Sequence, residues 1–207
     1  TLVAVRENYE KIKSTHPNMR ARDIAKELHI SEAELLASRI GKEIIKLEGD
    51  WAELIRSMPN LGSVMALTRN DSCVHEKHGE YDNISIGPGH GLVLNHDIDL
   101  RLFMSHWHFG FAVSEIVASG KRYSFQFFDI NGEAVHKVYM PKGNNLRAYK
   151  AIVNKFRSAN QTEEISIHKL PSGKKDISDD NLDIENFISH WTNLKDTHHF
   201  FGLLNEF

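Results

Sequence analysis

The stretch Lys121–Met140, KRYSFQFFDINGEAVHKVYM, holds two runs that alternate between apolar and polar residues, separated by Asn131-Gly132. A period of two places successive side chains on opposite faces of a strand. Asn-Gly between two such runs favours the positive backbone angles of a hairpin turn. An antiparallel pair is therefore expected here, and it sets the reading of its neighbours. Upstream, SVMALTRN, CVHEKHGEY, ISIGPGHGLVLN and IDLRLFMSHWHFGFAVSEI keep the same period and read as successive strands, punctuated by Gly87-Pro88-Gly89 and Ser119-Gly120. A mostly antiparallel meander follows from these short connections.

On either side of the meander the period lengthens to that of a helix. LVAVRENYEKIKSTHPN reads as a short helix ending near Pro17, and GDWAELIRSMPNLG as another closed by Pro59. Between them, RARDIAKELHISEAELLASRI spaces Ile24, Leu28, Leu35 and Leu36 for one helical face, broken at His29-Ile30-Ser31, and Ser31 with Glu34 forms a capping box. That outline is a helix-turn-helix. A DNA-reading unit needs a basic second helix, however, and SEAELLASR carries two glutamates against one arginine, which favours a packing role. After the meander, NNLRAYKAIVNKFRSAN lines up Leu146, Tyr149, Ile152, Val153 and Phe156 behind a cap near Asn144. The polar loop PSGKKDISDDN leads to Ile184, Phe187, Ile188 and Trp191 on one face of a further helix, and a last helix is expected from Asp196. Helices, sheet, helices is an α+β order: a helical segment at 1–60, an antiparallel sheet at 61–141 and C-terminal helices at 142–207, within one structural domain.

Composition narrows the function classes. With 207 residues, 41% hydrophobic, the chain can bury a sizeable core. A formal net charge of -3 offers no global attraction to nucleic acid or anionic membranes. The single cysteine, Cys73, allows no intrachain disulfide and fits a reducing, cytosolic compartment. No apolar run reaches the length of a membrane span, and no basic-then-apolar leader opens the chain. A first residue that is threonine, and a last one inside an apolar helical pattern, read as cut ends. Histidine is the unusual residue, with 13 copies, many in apolar surroundings.

Three constellations could carry chemistry. In DLRLFMSHWHFGFAV, alternation puts Arg101, Phe103 and Ser105 on one strand face and Leu100, Leu102 and Met104 on the other. Arg101 is then either a solvated residue or a group aimed at an anion or oxygen ligand. His106 and His108, as H-x-H on a strand, would share a face and could supply two ligands to zinc or non-haem iron, with a third from His75, His78, His90, His96 or His136. Near the end, NLKDTHHFFGLLNEF places His198 and His199 against Phe200 and Phe201, with Leu204 on an adjoining part of the helix. A helical histidine in an apolar wall is the usual proximal ligand of haem iron, because the macrocycle needs flat apolar walls and the iron one neutral imidazole.

VMALTRNDSCVHEKHGEY, GLVLNHDIDLRLFMSHWHFGFAV, FQFFDINGEAVHKVYM and LKDTHHFFGLL, in this order and spacing, resemble the HemS family of bacterial cytoplasmic haem-handling proteins, also called haemin-degrading factors. The resemblance runs from Ala21 onward. It implies a duplicated α+β fold, of which this chain would be the first half plus the start of a connecting helix. It implies haem as the cofactor, received from an inner-membrane importer and then either passed to a haem oxygenase or opened by the protein itself. Carried over position by position, the proximal iron ligand falls on His198 in DTHHFF, an alternative ligand on His199, and the distal arginine on Arg101 in DIDLR. The apolar C-terminal helix would then be mobile, or would drive self-association.

Overall fold

The computed structural model describes residues 2–41, 43–70, 72–117, 120–141, 143, 145–162, 164–168, 180, 182–196 and 199–206. They form α1 (Leu2–Thr15), α2 (Ala21–Glu27), α3 (Glu32–Ala37), β1 (Ile44–Leu47), α4 (Trp51–Ser57) with a 3-10 turn at Met58–Leu61, β2 (Val64–Arg69), β3 (Val74–Gly79), β4 (Ile84–Ile86), β5 (Gly91–Leu94) and β6 (Asp99–Leu102). After a second 3-10 turn at Met104–His106 come β7 (Phe109–Val117), β8 (Gly120–Phe128), β9 (Ala134–Met140), α5 (Leu146–Phe156), α6 (Ile184–Thr192) and α7 (Phe200–Glu206). The chain divides into two compact units, Thr1–Leu170 and Pro171–Phe207.

The expected hairpin forms: β8 pairs antiparallel with β9, Tyr123 opposite Met140 and Phe125 opposite Val138. Its connection is longer than a two-residue turn. The Asp129 carboxylate accepts from the Asn131 and Glu133 amides, each at 2.9 Å, and Gly132 supplies a positive φ of 78°. From this pair the large sheet grows to the order β1-β7-β8-β9-β2-β3 with every pairing antiparallel, while β4-β5-β6 form a separate small sheet. The α+β architecture is as the element order implies.

Both faces of the large sheet are covered. On one, Val64, Ala66, Ala112, Phe125, Phe127 and Val138 pack with Leu54 and Ile55 of α4, with the buried side of α5 and with Val93, Leu100 and Leu102 of the small sheet. On the other, Ala33, Leu36 and Ala37 of α3 meet Ile44, Phe111, Val113 and Phe128. The Ser31–Glu34 capping box is present as the sequence implies. Because α3 buries Glu32, Ala33, Leu35, Leu36 and Ala37, it has no free face for a DNA groove, and the helix-turn-helix outline is a packing unit. Glu32 anchors it: its carboxylate accepts from Lys137 Nζ of β9 at 2.7 Å and from Arg69 of β2.

Three local readings are corrected. β1, the run IIKL, is an edge strand paired with β7 inside the stretch read as helical; a run of four residues has too few positions for periodicity to separate strand from helix. The run from Ile98 to Ile116 is not one strand: β6 stops at Leu102 and the chain turns through Met104–His106 before β7 begins. The last helix starts at Phe200 rather than Asp196, and the His199 amide just before it donates to the Asp196 carbonyl at 3.1 Å. The α5 cap is Asn145, whose side chain accepts from the Ala148 amide; Asn144 lies outside the described residues.

Candidate functional site

The small sheet presents Arg101. Register places Ser85 opposite Leu92 and Leu92 opposite Arg101, so the three make one row across the sheet. Burial alternates along β6, with Leu100 and Leu102 in the core and Asp99 and Arg101 in solvent. Just beyond the strand, Phe103 is 52% exposed, with the His90 ring 6.0 Å from its own. Arg101 Nη1 donates to Asp99 Oδ1 at 3.0 Å, both side chains being half-exposed. An exposed pair of this kind contributes only about 0–1 kcal/mol, so the guanidinium can leave Asp99 for an incoming anion at small cost. The result is a permanent cation among partly exposed apolar groups.

Behind this sheet lies a buried polar network. His136 on β9 is 2% exposed. Its Nε2 lies 2.6 Å from the Tyr81 hydroxyl and its Nδ1 3.2 Å from Thr68 Oγ1. Trp107 stacks on it, ring centroids 5.6 Å apart and planes 18° from parallel, and also stacks on Phe127 at 4.4 Å. Trp51 Nε1 donates to the Trp107 carbonyl at 2.9 Å. Burial without a neighbouring charge pushes His136 down to about 4, so the imidazole is neutral near pH 7. Burial likewise raises the Tyr81 phenol, which stays protonated and donates to Nε2.

A pH dependence follows. The unfolded chain binds a proton on this imidazole near the ordinary value of 6.5, the folded chain only near 4. Between these values the unfolded state holds more protons, so stability is full above about 6.5 and falls as the pH drops toward 4. The loss from His136 between pH 7 and pH 5 should be about 2 kcal/mol. Urea midpoints at the two pH values measure it, and His136→Gln should flatten the difference. An equal slope in the variant would remove His136 from the account.

The H-x-H reading does not survive. His106 closes the 3-10 turn and His108 precedes β7, so they are not strand neighbours; both are exposed, and His108 Nδ1 faces the His106 carbonyl at 3.3 Å. His136 is engaged inside the core, His75 and His78 point to opposite faces of β3, and His90 and His96 lie in turns. Among the described residues no three His, Cys, Asp or Glu side chains gather as a metal-ligand group.

The second unit carries the C-terminal histidines. His198 lies outside the described residues. His199 is exposed, immediately before α7. Within this unit Trp191 of α6 meets Phe200 edge-on at 4.9 Å and Phe187 at 5.6 Å. Leu203 is buried, whereas Phe201 is 73% exposed, and Leu204, Ile184, Ile188 and Trp191 also stay about half in solvent. Arg101 belongs to the first unit and His199 to the second.

These features define an α+β module: a large antiparallel sheet with a satellite sheet that presents an arginine. The chain belongs to the HemS family, whose domain, described as the haemin-degrading HemS.ChuX domain, matches residues 29–156. It is 37% identical over 203 residues to the hemin transport protein HmuS of Yersinia pestis, covering 96% of this chain and 57% of that protein. Against the hemin transport protein HemS of Yersinia enterocolitica it is 35% identical over 202 residues, covering 97% of this chain and 58% of that one. The crystal structure of holo-PhuS, a heme-binding protein from Pseudomonas aeruginosa, superposes with a TM-score of 0.83 at 38% identity, covering 100% of this chain and 60% of PhuS. The chain thus spans somewhat under two thirds of the length of these relatives. Among the described residues no helix is long and apolar enough to cross a membrane.

Proposed function

We propose that this chain binds haem and carries it during iron acquisition in the cytoplasm; His198 would hold the iron, with His199 as the alternative ligand, and Arg101 would offer its guanidinium to an oxygen-bearing ligand of the haem. In that role it would take haem from an inner-membrane importer and release it to a haem oxygenase. The observation that carries the reading is the exposed His199 imidazole at the start of a helix whose Phe201 and Leu204 remain in solvent. The donor set fits the group: haem supplies a flat apolar macrocycle with an iron that takes imidazole nitrogen, and these residues offer imidazole beside apolar surface.

The chain's own residues divide the work. An axial imidazole must be neutral at the donating nitrogen and hold its other N–H on an acceptor, which fixes the ring's tautomer and orientation. Arg101 remains charged at any working pH and offers several N–H donors to an oxygen-bearing ligand. Asp99 holds it ready at 3.0 Å. Leu92 and Phe103 supply apolar surface around it.

Titration of the chain with haem, followed by absorbance, tests the proposal. The expected result is a saturable Soret shift, weakened about 10–100-fold in His198→Ala and altered without loss of binding in Arg101→Ala. An unchanged titration in His198→Ala, with loss in His199→Ala, would move the ligand to His199. Absence of a Soret shift in the parent chain would overturn the reading. Adding a reductant to the loaded chain then separates two roles. Bleaching assigns ring opening to this chain, and a stable spectrum assigns carriage alone.

A further inference from the structure

We infer that His136 is a positioning residue for Arg101, because it clasps both ends of the chain excursion that carries the small sheet. This rests on the reading of Arg101 as a haem-facing group. β3 ends at Gly79 and β7 begins at Phe109, so everything between them leaves the large sheet and returns to it. Tyr81 stands at the departure and Trp107 at the return, both buried. One imidazole meets both, with Nε2 2.6 Å from the Tyr81 hydroxyl and its ring face on Trp107. Its remaining nitrogen faces Thr68 of β2, so the clasp is fastened to two neighbouring strands of the large sheet, β9 and β2.

The chemistry is directional in a way that packing alone is not. A buried phenol must donate its proton, and the partner shown for it is Nε2. That choice leaves the proton of the neutral ring on Nδ1, facing Thr68 Oγ1. Each member therefore has one orientation that satisfies the others. A phenylalanine in place of His136 would fill similar volume but accept Tyr81 in many positions. Buried polar networks of this kind specify a single arrangement more than they add stability. Close approach elsewhere tightens the same joint. A Cβ on Gly79 would lie 2.8 Å from Asp97 Cβ and 3.0 Å from Ile98 Cγ1, so the end of β3 runs directly against the β5–β6 turn. Arg101 follows that turn by three residues from Ile98, and its seat inherits the position of both ends of the excursion.

Two variants and two readouts test this. Tyr81→Phe removes one oxygen and leaves the fold's apolar volume in place; His136→Phe removes both hydrogen bonds and keeps an aromatic ring against Trp107. Amide hydrogen exchange on the intact chain without haem is the first readout. Exchange at 84–102 should accelerate about tenfold or more in Tyr81→Phe, while β7 and β8 amides keep their protection. The second readout is the haem spectrum, which should move toward that of Arg101→Ala in both variants with the His198-dependent Soret shift retained. Uniform acceleration over the whole sheet, or none at 84–102, would overturn the clasp and leave His136 as a core-filling residue. So would unaltered spectra in variants whose small sheet is loosened. If the parent chain takes up no haem, the exchange result still decides the clasp, and only the link to Arg101's role falls.

Discussion

Replacing Glu32 by alanine is expected to destabilise the chain by about 3–5 kcal/mol, the usual cost of removing one partner from a buried ion pair. Its carboxylate is 4% exposed and receives Lys137 Nζ at 2.7 Å together with the Arg69 guanidinium. All three side chains lie between α3 and the large sheet. Burial, with Arg69 close by, already lowers the Lys137 ammonium to about 7. Without the carboxylate, Lys137 can escape by giving up its proton. Arg69 cannot, because a guanidinium stays protonated, so its charge loses the carboxylate that ties β2 to the first turn of α3. Urea unfolding of Glu32→Ala and Glu32→Gln measures the effect. Glutamine keeps an acceptor and should lose less. The double variant Glu32→Met/Lys137→Met should recover only the part of the loss that Lys137 contributes, since the Arg69 charge stays in place. A loss below about 1 kcal/mol in Glu32→Ala would mean that the cluster is well hydrated and its burial is irrelevant.

The same cluster shows what the amino-acid pattern could and could not reveal. Alternation of residue type identified β2, β3, β8 and β9, although burial does not alternate along all of them: β3 is exposed up to Gly79 and β8 buries its last five residues in a row. In EAVHKVYM, however, His136 and Lys137 are consecutive, point to opposite faces and are both buried. A one-sided sheet would have put one of them in water. Only the helix on one face and the satellite sheet on the other make both positions interior, and neither cover is visible within the strand. The break between β6 and β7 was hidden for a related reason. Trp107 turns inward to reach His136 and Phe127 while its neighbours His106 and His108 face solvent, so the alternation runs unbroken through a turn that is not a strand. The outward direction of Arg101 was legible from the period alone. Its chemical part was not, since an exposed arginine paired with Asp99 looks like any surface ion pair, and that part entered with the family resemblance. The helix that follows His199 begins at Phe200, later than the apolar spacing implied.

Gly132→Ala should cost about 3 kcal/mol, and the reason lies again at the start of α3. Gly132 has a φ of 78°, a conformation strained for any L side chain. A Cβ there would sit 2.3 Å from Ser31 Oγ, 2.6 Å from Ser31 Cβ and 2.9 Å from Ile167 Cδ1. Ser31 has little freedom to retreat. Its hydroxyl accepts from the Glu34 amide at 3.2 Å and donates to Glu34 Oε2 at 2.8 Å, and the Gly132 carbonyl accepts from the Ala33 amide at 3.1 Å. The added methyl therefore pushes the capping box and the hairpin apart, and Glu32, one residue after Ser31, moves with the cap. Displacement of that carboxylate from Lys137 and Arg69 couples the two substitutions. Their combined loss in Glu32→Ala/Gly132→Ala should then be smaller than the sum of the single losses by about 1 kcal/mol or more, as measured by a double-mutant cycle in urea. Strict additivity would show that the hairpin tip and the buried ions hold α3 independently, and that the strain at Gly132 is absorbed within the turn.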